Sequence, residues 1–130
     1  MNSRHLSVVI HRSPDVVYAL ASDPTRLPDW AAGLAEGAAE ISDDTLVMDS
    51  PMGRVSVRFV PRNDLGVLDH EVTLPDRSVT YNPLRVVPHP EGAEVVFTIR
   101  QGEMDDDNFD RDCTMVAADL DRLRLLTESA

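Results

Sequence analysis

One histidine of this chain combines the position and the chemistry of an acid–base group. His70 lies in an alternating segment in which Leu68, Val72 and Leu74 share its parity, so a strand would turn all four side chains inward. An imidazole with an ordinary pKa of about 6.5 exchanges protons near neutral pH. Two interpretations follow: His70 is catalytic in a pocket, or it is a core histidine hydrogen-bonded to a backbone carbonyl or a neighbouring side chain.

A tyrosine and an arginine of equal parity follow in the chain. Tyr81 and Arg85 would project from one side of a strand, where a phenol and a guanidinium suit an anionic or carbonyl group and stabilise an enolate. Pro83 lies between them, and a proline inside a strand indicates an edge or a bulge that changes the register. The alternative is that Arg85 forms a surface ion pair and Tyr81 packs in the core.

Apolar side chains on the remaining inward faces predict the walls of a ligand pocket. The second predicted strand carries mostly small side chains at 35–41, which leaves space beneath a long helix. Methionines such as Met48 are the alternative filling for that space. Trp30 either caps the core, with its indole N–H satisfied locally, or stacks at the cavity mouth. The candidate ligand-binding residues are Trp30, Met48, Phe59, Tyr81, Arg85, Phe97, Phe109 and Val116.

Other chemistries lack the residue patterns that they need. The four histidines are scattered without paired spacing or cysteine partners, so no metal site is predicted. The three acidic residues at 105–107 are better explained as charges at a helix start than as a calcium loop. There is no glycine-rich phosphate loop and no nucleophile elbow, and Cys113 falls on a buried helix stripe. We predict no cofactor.

The elements that must position these residues are read from periodicity. We predict a first strand at 6–11, a helix that begins after the N-cap Ser13 and stops at Asp23-Pro24, and a helical turn at 27–30. Period-two segments predict antiparallel strands at 34–42, 45–50, 53–61, 66–74, 77–87 and 93–101. A final helix of about 23 residues carries one apolar stripe, formed by Phe109, Cys113, Val116, Leu120 and Leu123.

Length and charge limit the classes of protein. The chain has 130 residues and a net charge of −11, with 12 basic and 23 acidic side chains. We expect one domain over 1–130, and no binding of nucleic acid or of a membrane, because the arginines are dispersed and no apolar run spans a bilayer. A single cysteine and an N-terminus without signal-peptide features favour a cytoplasmic protein.

Several short motifs accompany this order of elements. They are Asp23-Pro24, Leu27-Pro28-Asp29-Trp30, Leu68-Asp69-His70, Asn82-Pro83-Leu84-Arg85-Val86, Gly92-Ala93-Glu94-Val95-Val96-Phe97-Thr98 and Asp119-Leu120-Asp121-Arg122-Leu123. The order and the motifs together resemble the helix-grip superfamily called SRPBCC, which includes START domains, polyketide cyclases and birch-pollen allergen relatives. Within it, the chain is most similar to small bacterial proteins of the polyketide cyclase or dehydrase-like branch. The resemblance covers essentially the whole chain and implies an α+β fold, with a curved six- to seven-stranded antiparallel sheet around a long C-terminal helix.

Two main functional hypotheses follow from the residues and the resemblance. The first is a binding module that holds a small hydrophobic polyketide-, aromatic- or lipid-like molecule between sheet and C-terminal helix. The second is a lyase, a cyclase or dehydratase, in which His70 moves protons and Tyr81 or Arg85 stabilises an enolate. It requires all three near a common point. Some relatives assist protein clients, which would require a large exposed apolar patch, and a homodimer is left open.

Overall fold

The first third of the chain builds one edge of the fold. The structure is a computed structural model that describes residues 1–31, 40–41, 45–50 and 53–130. Strand β1 (Ser3–Ile10) leads into helix α1 (Pro14–Ala21), whose start is capped where the Ser13 hydroxyl accepts from the Val16 N–H, 3.4 Å away. Helix α2 (Leu27–Trp30) follows. The N-cap and the two short helices are therefore confirmed, as is the strand, which begins at Ser3 rather than at the predicted residue 6 and ends at Ile10.

The strands form two antiparallel groups. One sheet has the order β1-β8-β7, with β7 at Leu84–His89 and β8 at Gly92–Arg100. The other has the order β2-β3-β4-β5-β6. Its members are β2 (Glu40–Ile41), β3 (Thr45–Ser50), β4 (Gly53–Phe59), β5 (His70–Thr73) and β6 (Val79–Asn82). The strand predicted at 34–42 lies mostly outside the described residues.

Pro83 divides the strand predicted at 77–87 into β6 and β7. Proline has no N–H to donate, so the ladder is interrupted there, although the Pro83 carbonyl still accepts from the Thr98 N–H at 2.9 Å. The first half pairs with β5 and the second with β8. Pro83 was expected to cause an edge or a bulge, and in the structure it ends one strand before the next begins. The described residues therefore form eight strands.

The two sheets meet where the chain approaches β5. Residue 67 forms only an isolated antiparallel bridge with Arg85, so the strand predicted at 66–74 begins in fact at His70. The Val86 N–H donates to the Gly66 carbonyl at 2.8 Å. Gly66 has a φ of +72°, and a Cβ there would lie 2.2 Å from the Val86 oxygen, so the close crossing requires glycine.

Helix α3 (Asp106–Glu128) closes the fold. The Asp105 carboxylate accepts from the Asn108 N–H at 2.7 Å and caps the helix start. The helix packs against β1, α1 and α2. Four members of its predicted apolar stripe are buried, namely Phe109, Cys113, Leu120 and Leu123, and Val116 is half-buried against the same core.

Candidate functional site

His70 is held in the core by its own backbone neighbourhood. Its side chain is on the inward face as predicted, and the residue is 3% exposed. The Nδ1–H donates to the Leu68 carbonyl at 3.0 Å, since a carbonyl can only accept. Phe59 and Phe97 pack on the ring, with centroids 5.0 and 5.7 Å away.

The electrostatics of His70 favour the neutral ring. Burial lowers its pKa, against smaller opposing effects of the Leu68 carbonyl and the Asp69 charge. At neutral pH the imidazole therefore carries one proton, on Nδ1, and offers a lone pair on Nε2. No hydrogen bond to Nε2 occurs within the described part of the chain.

A buried carboxylate on the opposite face organises Tyr81 and Arg85. The Asp69 side chain is only 4% exposed and accepts from the Tyr81 hydroxyl at 2.9 Å and from the Leu84 N–H at 3.0 Å. Arg85 donates to both Asp69 oxygens, Nε to Oδ1 at 3.3 Å and Nη2 to Oδ2 at 2.9 Å. We call these three side chains the Asp69 cluster.

The Asp69 cluster keeps its carboxylate ionised. Burial alone would raise the pKa of Asp69, but hydrogen bonds from Arg85, from the Leu84 N–H and from Tyr81 outweigh it, and the pKa is lowered. The same contacts raise the pKa of Tyr81 and of Arg85, because each proton is shared with an anion. The Arg85 side chain is nevertheless 54% exposed, so solvent screens part of this attraction.

The predicted catalytic groups do not meet. Across the β5–β6 ladder His70 is opposite Asn82, whereas Tyr81 is opposite Glu71, and opposite residues share a face. Tyr81 and Arg85 therefore lie on the outer face and His70 on the inner one. The alternative interpretations describe both groups better: His70 on a carbonyl, and Arg85 in an ion pair at the surface. Tyr81, expected in the core on that interpretation, is instead 46% exposed.

A cleft of about 170 Å³ opens beside helix α1. Its walls come from the second half of α1 and the following turn, from β3, and from the chain that continues past β4. Of the predicted ligand-binding residues, Phe59 lines this cleft. No residue of helix α3 lines it, although the ligand was predicted to lie between the sheet and that helix. The lining residues are Tyr18, Ser22, Pro24, Thr45, Leu46, Phe59, Val60, Pro61, Arg62 and Leu68.

The mouth of the cleft is built by an ordered turn. The Asn63 side chain accepts from the Leu65 and Val67 N–H groups at 2.9 and 3.1 Å, which fixes the turn after β4. The Asn63 N–H donates to the Tyr18 hydroxyl at 3.0 Å, and the Arg62 guanidinium lies over the Tyr18 ring, 5.6 Å from its centroid. This turn therefore places a phenol and an arginine together.

The remaining candidate ligand-binding residues lie elsewhere in the fold. Phe97 packs on His70, Phe109 is buried under the Arg4 guanidinium at 4.8 Å, and Val116 packs against the core. Met48 is paired with Val55 on β3, and its side chain lies outside the described part of the structure. None of these three described side chains lines the cleft.

Trp30 departs from its expected role in one respect. It is buried at 3% exposure in the core, as the capping interpretation requires, and its carbonyl accepts from Arg122 Nε at 3.3 Å. Its indole N–H, expected to be satisfied locally, has no hydrogen-bond partner among the described residues. Trp30 does not line the cleft.

Three residues that the structure makes prominent are not among the predicted site residues. Alternation places Asp69 on the face opposite to His70, but it does not indicate that the Asp69 carboxylate is buried. For Tyr18 and Arg62 the sequence pattern carries no signal, because their contact joins α1 to the turn after β4.

The described residues contain neither a metal-binding cluster nor a membrane-spanning helix. In the described ranges, no three histidine, cysteine, aspartate or glutamate side chains are grouped so that they could hold a metal ion. No helix there is long and apolar enough to cross a membrane.

Comparison with solved structures identifies the architecture. The Aha1 dimer from Colwellia psychrerythraea superposes with a TM-score of 0.77 at 15% identity, covering 98% of this chain and 97% of that one. The AHSA1 protein from Silicibacter pomeroyi gives 0.68 at 17% identity, covering 95% and 96%. A protein of unknown function from Staphylococcus aureus gives 0.72 at 12% identity, covering 98% and 94%. The chain has the helix-grip fold.

These identities are low enough that the likeness extends to the fold alone. No protein-family model matches the chain, and no curated protein matches it in sequence. The predicted α+β helix-grip fold is confirmed, whereas membership of the polyketide cyclase branch stays a prediction.

Proposed function

We propose that this helix-grip protein binds a small apolar molecule in the cleft beside α1, without transforming it. The observation that carries the proposal is the combination of an apolar wall, formed by Leu46, Phe59 and Leu68, with the half-buried Tyr18 and the exposed Arg62 in the same lining. Such a site removes apolar ligand surface from water and keeps polar groups at its mouth.

The size of the cleft limits the ligand. A dry cavity of about 150 Å³ lined by aliphatic and aromatic side chains accommodates benzene. The cleft, at about 170 Å³, fits one aromatic ring or a short aliphatic chain. It is smaller than the roughly 300 Å³ at which sites for drug-sized ligands begin. A polyketide or long lipid would therefore remain largely outside it.

The lyase alternative has less support. It required His70, Tyr81 and Arg85 near one point, and their side chains lie on two faces of the sheet. His70 also donates its one proton to the Leu68 carbonyl, which leaves it as a weak buried base without an acid partner. Binding without catalysis is therefore the better-supported function.

A client-binding role also lacks its expected surface. It would use a contiguous apolar patch of several hundred Å². Apart from the N-terminal Met1, the large apolar side chains that are exposed in the described residues are divided among a turn, strand β6 and helix α3. They are Leu65, Val79, Tyr81, Met115 and Leu125.

The proposal is tested by filling the cleft. Ser22 lines it at the end of α1, so Ser22→Phe should occupy the space that a ligand needs. We expect benzyl alcohol, an uncharged one-ring probe, to shift amide resonances around the cleft in the native protein and not in Ser22→Phe. Ser7→Phe, at an exposed position of β1, is the matched control and should bind as the native protein does.

Two results would contradict the proposal. One is the absence of benzyl alcohol binding to the native protein at tens of millimolar. The other is equal binding by native protein and a folded Ser22→Phe variant. Mass spectrometry of small molecules that co-purify with the two proteins gives an independent measurement, because a natural ligand should accompany the native chain alone.

A further inference from the structure

Arg62 is the arginine in the lining of the cleft beside α1. Its guanidinium contacts the Tyr18 ring, and within the described residues it forms no ion pair with a carboxylate. Five other arginines are within 4 Å of a carboxylate oxygen: Arg4, Arg26, Arg85, Arg122 and Arg124. At a net charge of −11, an arginine that lines a cleft without an acidic partner is a specific arrangement.

The nearest acidic competitor is already engaged. Asp23, in the turn after α1, accepts from the Thr25 N–H at 3.0 Å and from the Thr25 hydroxyl at 2.7 Å. Those hydrogen bonds lower the pKa of Asp23 most, and the charge of Arg62 contributes least to that shift. Among the described residues, no ion pair joins Asp23 to Arg62. The N–H groups of Arg62 therefore remain available at the mouth.

A second donor stands beside Arg62. The Tyr18 oxygen accepts from the Asn63 N–H, and its own proton has no acceptor in the described part of the chain. The N–H groups of the Arg62 guanidinium and the hydroxyl proton of Tyr18 can therefore both donate to a ligand in the cleft. An ionised carboxylate accepts several hydrogen bonds and donates none, and it matches the guanidinium fork.

We propose that the cleft selects a small monocarboxylate, such as an aryl or short-chain carboxylic acid. Its apolar part occupies the space between Leu46, Phe59 and Leu68, and its carboxylate accepts from Arg62 and Tyr18. This inference rests on the proposed function, because it names the class of ligand for the same cleft.

The charge of the chain distinguishes a monoanion from a dianion. One guanidinium neutralises one carboxylate, whereas a phosphate monoester would bring a second negative charge into the field of a protein with a net charge of −11. The single arginine at the mouth therefore fits a carboxylate better than a phosphate.

The test compares four probes that share a ring, one of which is phenyl phosphate. Benzoate carries the carboxylate, benzamide is its uncharged isostere, and benzyl alcohol reports on the apolar cleft alone. Each is titrated by NMR into native protein, Arg62→Gln and Arg111→Gln. Arg111 is an exposed arginine of α3, so the two variants remove the same charge from the protein.

We expect benzoate to bind native protein and Arg111→Gln about tenfold more tightly than benzamide, as one charge-assisted contact implies. Arg62→Gln should remove that preference, whereas Arg111→Gln should leave both the preference and benzyl alcohol binding unchanged. Phenyl phosphate should bind less tightly than benzoate.

Three outcomes would overturn the inference. If benzoate and benzamide bind equally while benzyl alcohol binds, the carboxylate preference is wrong and the proposed function stands. If Arg111→Gln weakens benzoate as much as Arg62→Gln does, the effect is one of overall charge. If none of the ring probes binds, the inference and the proposed function fall together.

Discussion

Two tyrosine–arginine pairs of this protein differ in one respect, the presence of a buried carboxylate. Tyr81 and Arg85 both donate to Asp69 on the outer face. Tyr18 and Arg62 contact each other at the cleft, with no carboxylate of the described residues bonded to either. In the Asp69 cluster the donors of the tyrosine and the arginine are therefore satisfied within the protein. In the cleft the same two residue types have donors without a protein acceptor among the described residues.

The comparison shows why residue type and parity are insufficient to locate a binding site. Tyr81 and Arg85 have the chemistry to hold an anion, but their donors are already used by one inside the protein. A site for an external ligand needs donors that the fold leaves unsatisfied but reachable, and the cleft mouth has these. Substitutions in the Asp69 cluster should therefore lower the free energy of unfolding. Substitutions of Tyr18 or Arg62 should instead weaken ligand binding.

The largest effect should follow from removing the carboxylate at the centre of the Asp69 cluster. Asp69→Ala leaves the buried Leu84 N–H without an acceptor and separates Arg85 and Tyr81 from their shared partner. We expect the free energy of unfolding to fall by about 3 kcal/mol. Urea denaturation of native and variant protein measures it, from midpoints and slopes.

Glu71 supplies the matched control for Asp69. It lies two residues further on the same strand face, but it is exposed. Glu71→Ala should change the free energy of unfolding by no more than about 0.5 kcal/mol. A loss below 1 kcal/mol for Asp69→Ala would mean that the network is not a structural element, and the contrast between the two pairs would disappear.

A smaller effect separates the two arginines directly. Arg85→Gln leaves the Asp69 charge buried with two donors, so we expect a loss of about 1.5 kcal/mol, moderated by the exposure of the Arg85 side chain. Arg62→Gln removes only a cation–π contact and should cost about 0.5 kcal/mol or less. Equal losses in parallel urea titrations would show that Arg62 also has a structural role.

Local rules account for the elements that were predicted correctly. Ser13 and Asp105 cap helices through hydrogen bonds within their own first turns, and the parity of 68–74 placed His70 on the inward face. Each of these depends on residues only a few positions apart. The fold class was implied by the resemblance of their order and motifs to the helix-grip superfamily.

The features that were not predicted depend on residues far apart in the chain. Asp69 is buried beneath partners from later in the chain, because Tyr81 and Arg85, which donate to its carboxylate, follow it by 12 and 16 residues. Tyr18 meets the turn after β4 across 45 positions, by way of Asn63. Neither propensity nor period carries such information, so the cleft mouth and the buried carboxylate required the tertiary structure.

The last predicted effect is a dependence of stability on pH. The folded chain holds the pKa of Asp69 below its unfolded value of about 3.9, so the stabilisation is fully present above that value. As the pH falls below the unfolded value, the unfolded chain binds a proton more readily than the folded chain does. Between pH 5 and pH 3 the stability difference between native protein and Asp69→Ala should therefore shrink. Urea midpoints at several pH values measure the difference. A constant difference would mean that the Asp69 cluster stabilises by packing rather than by charge, which would remove the electrostatic basis for contrasting it with the cleft mouth.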